Sequence, residues 1–112
     1  IVILSEYGIE EVNDNIAPNQ ILNKAGFLSI HRAKNGSLLD PGNSKAFAVC
    51  DHQVAHIYIK NSNDTMSIFD LFKDLPQVDS ISLKKDLPNL NHSRAGDLIL
   101  TANKGCWFKI LF

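Results

Sequence analysis

The pattern of apolar and polar positions changes period several times along the chain, and each change predicts an element. Ile1, Val2, Ile3 and Leu4 form an unbroken apolar run of β-formers. Such a run suits a central parallel strand covered on both faces. Ser5-Glu6-Tyr7-Gly8 then breaks it with a loop, and loops at the carboxyl ends of such strands are where α/β sheets bind ligands. Over 18–25 the spacing predicts a short helix. Pro18 opens it, Ile21, Leu22 and Ala25 share one face, and Gly26 can close it. Residues 27–32 read as a strand, and Asn35-Gly36 is a hairpin signal. A second turn follows at Asp40-Pro41-Gly42-Asn43.

Residues 46–50 and 54–60 read as two strands, or one strand bent at Asp51-His52-Gln53. Along the second, Ala55, Ile57 and Ile59 form one alternating set and Val54, His56 and Tyr58 the other, wetter set. A helix is predicted over 64–75. Asp64 caps it, Thr65, Ile68, Phe69, Phe72 and Leu75 line one face, and Pro76 ends it. A strand over 77–83, a polar loop over 86–93, and a closing hairpin of 97–102 with 106–111 around Asn103-Lys104-Gly105 complete the pass. The expected fold is α+β: a small, mostly antiparallel sheet with two helices on one face. The strand at 1–4 is expected to stand apart from that sheet, as part of a larger α/β core.

Composition narrows the picture. With 112 residues the chain suits one domain with a real core. A hydrophobic share of 45% and a charged share of 21% are those of a globular protein rather than a disordered one. A net charge of −1 lacks the basic excess that nucleic-acid duplex binding requires. No window approaches the roughly 18 apolar residues of a membrane span, and no basic leader precedes an apolar stretch. Cys50 and Cys106 each sit in an apolar run, which favours free buried thiols over a disulfide framework. Both chain ends read as strand interior rather than as polar termini, so a piece of a larger protein is expected.

Four places carry groups suited to chemistry; one of them, Trp107-Phe108, reads as core or interface rather than as a substrate platform. Glu6-Tyr7 lies in the first loop, where a carboxylate and an ionised phenol can ligate a metal; a solvated Glu and a packing Tyr are the plainer alternative. Asp51, His52 and His56 form the densest titratable cluster. On a strand the two histidines share a face but stand roughly 13 Å apart. They are either part of a metal or phosphate site or a bend plus a packed imidazole. Arg94 precedes Asp97 in a turn, where it either grips a phosphate or ties the turn to that carboxylate. Gly-rich phosphate loops, nucleophile elbows and CxxC pairs are absent.

Val2-Ile3-Leu4-Ser5-Glu6-Tyr7-Gly8-Ile9 resembles the late metal-binding segment of type I phosphodiesterases and nucleotide pyrophosphatases, in the alkaline phosphatase superfamily. Most members carry Ser/Thr-Asp-His-Gly-Met there; this chain is similar to a bacterial branch with Ser-Glu-Tyr-Gly-Ile. The likeness continues through 18–26, 39–42, 46–56 (Ala-Phe-Ala-Val-Cys-Asp-His-Gln-Val-Ala-His), 94–100 and Trp107-Phe108. It implies a two-metal phosphoryl-transfer site acting on a phosphorylated small molecule. Glu6 and Tyr7 match the Asp and His metal ligands. That exchange favours Mn²⁺ beside the usual Zn²⁺, because carboxylate and phenol are harder donors than imidazole. The resemblance implies that the nucleophilic Thr and early Asp ligands precede Ile1 and that a last His follows Phe112. It also implies that 1–9 ends a core strand with its metal loop and that 10–112 is a cap over the substrate. Asp51, His52 and Arg94 are the cap's candidate substrate contacts.

Two functions follow. One is a portion of a metal-dependent hydrolase of phosphodiester or pyrophosphate bonds, inactive as this chain alone. The other is a non-catalytic α+β module that binds a ligand or a protein. They differ in whether Thr, Asp and His ligands flank the chain.

Overall fold

A computed structural model describes residues 1–4 and 11–112. The elements in chain order are β1 (Asp14–Ile16), α1 (Pro18–Lys24), β2 (Ile30–Ala33), β3 (Gly36–Leu39), β4 (Ala46–Asp51), β5 (Val54–Ile59), α2 (Thr65–Phe72), β6 (Val78–Leu83), β7 (Leu98–Ala102) and β8 (Cys106–Phe108). The fold is α+β. β4, β5, β7 and β6 lie in that order in one four-stranded sheet, every neighbouring pair antiparallel. β5 and β6 therefore run parallel with β7 inserted between them, and α2 makes the crossover as in a split βαβ unit.

Side-chain alternation puts the core on one sheet face. Ala46 and Ala48 of β4, Ala55 and Ile57 of β5, and Leu98 and Leu100 of β7 are all buried. Leu22 of α1 and Ile68 and Phe72 of α2 pack against them, with Phe108 from β8. Small alanines on β4 and β5 leave room for the larger helix side chains. The opposite face carries Phe47, Val49, His56 and Tyr58, none of them buried, and Ile99 opposite His56, which is buried.

α1 ends as its sequence predicts. Gly26 takes φ +86°, its N–H donates to Asn23 O, and Phe27 N–H reaches back to Leu22 O at 2.9 Å. This double closure satisfies carbonyls that the helix end leaves open. The edge of β4 is also closed. Asn19, only 1% exposed, donates its amide to Ala48 O (2.9 Å) and accepts from Ala48 N–H (2.7 Å). One side chain thus replaces the neighbouring strand that an edge lacks.

Residues 1–4 pair with no strand among the described residues, and their side chains are exposed. Several details depart from the sequence reading. The hairpin signal at Asn35-Gly36 is shifted by one residue. Lys34 and Asn35 make the turn, and Gly36 enters β3 opposite Ala33 at φ +127°. Helix α2 stops at Phe72, before Pro76, and Asp64 makes no side-chain cap; Asn61 instead accepts from Asn63 N–H at the turn Ser62–Asp64. The polar loop before β7 contains two short helical turns, Lys84–Asp86 and Pro88–Leu90.

The closing hairpin does not form. β8 pairs in parallel with β1, Asp14 opposite Cys106 and Ile16 opposite Phe108. The cause lies in the turn. Gly105 at φ +80° directs its carbonyl to Asn13 and Asp14 N–H, while Asn103 N–H donates to Gln77 O. The chain leaves β7 in the direction of β1 rather than folding back onto β7.

Candidate functional site

The turn between β4 and β5 holds the best-built candidate. Asp51 pairs with Val54, so His52 and Gln53 are the two turn residues. His52 adopts φ +59°, the one non-glycine residue with positive φ among those described. Left-handed backbone costs an L-residue about 1 kcal/mol or more, and three contacts to other elements hold it there. His52 O accepts from Phe108 N–H (2.8 Å), Gln53 O accepts from Ala102 N–H (2.9 Å), and Gln53 Nε2 donates to Cys106 O (3.1 Å). β8 therefore clamps the turn.

The clamp fixes the imidazole as well. His52 Nδ1 lies 2.8 Å from Asp51 Oδ1, and its ring meets Trp107 edge-on with centroids 4.4 Å apart. The Asp51 and His52 side chains are 84% and 67% exposed. A carboxylate on Nδ1 orients the ring so that Nε2 is the atom offered outwards. Such an imidazole can donate to a phosphate oxygen or, when neutral, ligate a metal.

The other candidates lie elsewhere. Arg94 sits at the far end of β5, whose six residues span roughly 20 Å. Its carbonyl accepts from Tyr58 Oη (2.7 Å), its N–H donates to His92 Nδ1 (3.1 Å), and its side chain is exposed. The tie to Asp97 is absent among the described residues: Asp97 Oδ2 instead accepts from Ile59 N–H at 2.7 Å, extending the β5 ladder beyond β7. Asp51 and His52 are brought together; Arg94 does not join them. His56 is a backbone partner, its Nδ1 accepting from Gly96 N–H at 3.0 Å. Glu6 and Tyr7 lie outside the described residues. Among those described, no group of three or more His, Cys, Asp or Glu side chains is placed to hold a metal ion.

Two features escaped the sequence reading. Asp40, expected only as a turn residue, accepts from the Asn43 side chain (2.7 Å) and pairs with His31 Nε2 (2.9 Å). The Asn43 amide, then its backbone N–H and the His31 charge, hold the Asp40 carboxyl below the usual range against some desolvation. The Asp-Pro-Gly-Asn turn was the available signal; the histidine, nine residues upstream, carried none. The buried Asn19 was equally silent, because one polar residue in a helix reads as its solvated face. Both cysteines are free, and burial pushes the Cys50 thiol up to about 11, so it is an unreactive thiol at neutral pH.

The sequence matches the type I phosphodiesterase / nucleotide pyrophosphatase family over residues 1–109. The chain belongs to that family. The family is generally metal-dependent. Among solved structures, the fold is similar to phosphonoacetate hydrolase from Sinorhizobium meliloti 1021, determined in complex with phosphonoformate. The TM-score is 0.59 at 16% identity, over 88% of this chain and 24% of that one. The chain thus spans about a quarter of that enzyme's length. Comparison with curated protein sequences finds no match. No helix among the described residues is long and apolar enough to cross a membrane.

Proposed function

We propose that this chain is the substrate-covering part of a metal-dependent hydrolase of phosphodiester or pyrophosphate bonds in small phosphorylated molecules. The observation that carries the reading is the family match across residues 1–109. In this reading 1–9 ends a strand of the catalytic core, and Glu6 and Tyr7 contribute to one of two metals, Zn²⁺ or Mn²⁺. The unit from 10 to 112 is the cap. Support for a cap role comes from the Asp51–His52 turn, a strained, clamped backbone that presents an oriented imidazole to the outside. His52 Nε2 then donates to a phosphate oxygen of the substrate, and Arg94 serves a different edge of the cap. The nucleophile and remaining ligands lie in the rest of a longer protein, and this chain alone is inactive.

The test uses the longer protein. His52→Ala is expected to lower kcat/KM at least about tenfold, equal to ~1.4 kcal/mol of transition-state stabilisation, with an unchanged melting temperature. Glu6→Gln lowers metal content and rate together. Normal kinetics in the first variant with a reduced melting temperature would assign His52 to structure. Unchanged metal content in the second would remove Glu6 from the site. Failure of both, with no phosphodiesterase activity in the longer protein, favours the non-catalytic module.

A further inference from the structure

The open end of the β4–β5 hairpin carries a combination that the fold does not explain. The ladder continues one step past Ala46 and Ile59, where Lys60 N–H donates to Lys45 O at 2.9 Å, so Lys45 faces Lys60. Like charges directly opposite on neighbouring strands are unfavourable. Neither lysine forms an ion pair among the described residues. The Lys60 ammonium is held by Gly42 O at 3.0 Å, which leaves further donors on the same nitrogen.

Next to this pair, on the sheet face turned away from the helices, Phe47 and Tyr58 stack at 5.4 Å with 23° between ring planes. His56 extends the stack at 6.5 Å and 24°. Phe47 and Tyr58 together with Lys45 and Lys60 line a cleft of about 300 Å³, which Asp97 and Ser44 also border. Both lysines also line an adjoining cleft of about 660 Å³ that includes Asp64. Asp97 Oδ2 takes Ile59 N–H, and Ser44 Oγ donates to Asp40 O. Against the one carboxylate of this cleft stand two ammonium groups, neither in an ion pair among the described residues, beside aromatic surface.

We propose that this end of the hairpin binds a small planar aromatic ligand carrying an anionic group, an aryl phosphate or an aromatic carboxylate. The anion sits between the Lys45 and Lys60 ammonium groups and relieves their repulsion. The ring packs against Phe47 and Tyr58, where offset stacking adds to the burial of apolar area. Neither half suffices alone: exposed lysines hold a bare anion weakly, and a neutral ring leaves the cations opposed. The inference goes beyond the hydrolase reading, since it needs no metal and no residue outside the hairpin and its adjoining turns.

The experiment is a titration of the 112-residue chain, followed by NMR shifts of the Phe47 and Tyr58 rings. The probes are phenyl phosphate, benzoate, phenol and inorganic phosphate. Saturable shifts are expected with phenyl phosphate or benzoate at roughly millimolar Kd. Phenol and phosphate bind at least about tenfold more weakly, and added salt weakens binding. Which of the first two binds more tightly decides between phosphate and carboxylate. Lys45→Ser abolishes binding while leaving the melting temperature equal or higher, because it removes a like-charge pair. Phe47→Leu weakens binding of the aromatic probes towards that of phosphate alone. Absence of saturable ring shifts with both aromatic anions overturns the proposal, and so does a lower melting temperature in Lys45→Ser with binding intact. Neither result bears on hydrolysis by the longer protein.

Discussion

Asn19→Ala is the sharpest test of how this fold closes its sheet edge. In the native state the Asn19 amide meets both the N–H and the C=O of Ala48, at 2.7 and 2.9 Å, in a site where Asn19 is 1% exposed. Truncation removes two hydrogen bonds and strands a buried donor and a buried acceptor on β4. A stranded group costs about 1–3 kcal/mol, and water entering the vacated volume recovers part of it, so about 2–4 kcal/mol is expected for the pair. At roughly 2.1 cal/mol/K per residue of unfolding entropy, 1 kcal/mol corresponds to about 4 °C here, and the melting temperature falls by about 8–17 °C. Asn19→Asp keeps the acceptor but loses the donor, so it recovers little. Thermal unfolding followed by circular dichroism gives the size of the effect. Amide hydrogen exchange gives its location: Ala48 N–H should exchange at least about tenfold faster, while the central β5–β7 amides slow or quicken only with global stability. A shift within about 2 °C, or an unchanged Ala48 amide, would refute the edge-closure argument.

Three further outcomes follow from named contacts. Gly96→Ala places a Cβ 2.8 Å from His56 Cβ and from Ile57 N, against a central strand that cannot yield, so a loss of about 1–3 kcal/mol in denaturant unfolding is expected. Asp40 carries a depressed pKa, so its contribution is present above the ordinary 3.8 and lost as pH falls through the native value. The melting-temperature gap between wild type and Asp40→Asn should therefore close on acidification below about pH 4. Cys50, raised from 9.0 to about 11 by burial, should react with iodoacetamide at pH 8 at least about tenfold more slowly than free cysteine, and at the ordinary rate in denaturant.

The sequence made the central sheet legible because its signals are local and redundant. In β5 the alternation of Ala55 and Ile57 against Val54, His56 and Tyr58 gives the strand, its buried face and its wet face at once, and the structure shows all three. The same holds for α1, where Pro18 and Gly26 mark the two ends independently. The partner of β8 was not legible. Residues 98–102 and 106–108 around Asn103-Lys104-Gly105 have the composition of a hairpin, and only Asn13 and Asp14, some ninety residues upstream, decide otherwise by taking the Gly105 carbonyl. Long-range backbone bonds of this kind leave no periodic trace in the chain. Arg94 and Asp97 failed for a related reason: a favourable spacing was outweighed by an unpaired Ile59 N–H at the end of the β5–β7 ladder, which Asp97 satisfies.

The Asp51–His52 turn shows how the two kinds of information join. A local reading supplies a bend with an acid and an imidazole, and nothing more. What turns the bend into a candidate site is β8, whose Phe108 N–H and Cys106 carbonyl hold the His52-Gln53 backbone and whose Trp107 stands against the imidazole. β8 can do this only because it has left β7 and runs beside β1. The departure that sequence reasoning missed is therefore the same event that builds the site it had singled out. A two-residue turn free of that clamp would have no reason to keep a histidine at φ +59°, where glycine or asparagine is less strained. The strain is held by β8, and the residue that bears it carries the outward-facing imidazole, so the clamp and the chemistry stand or fall together.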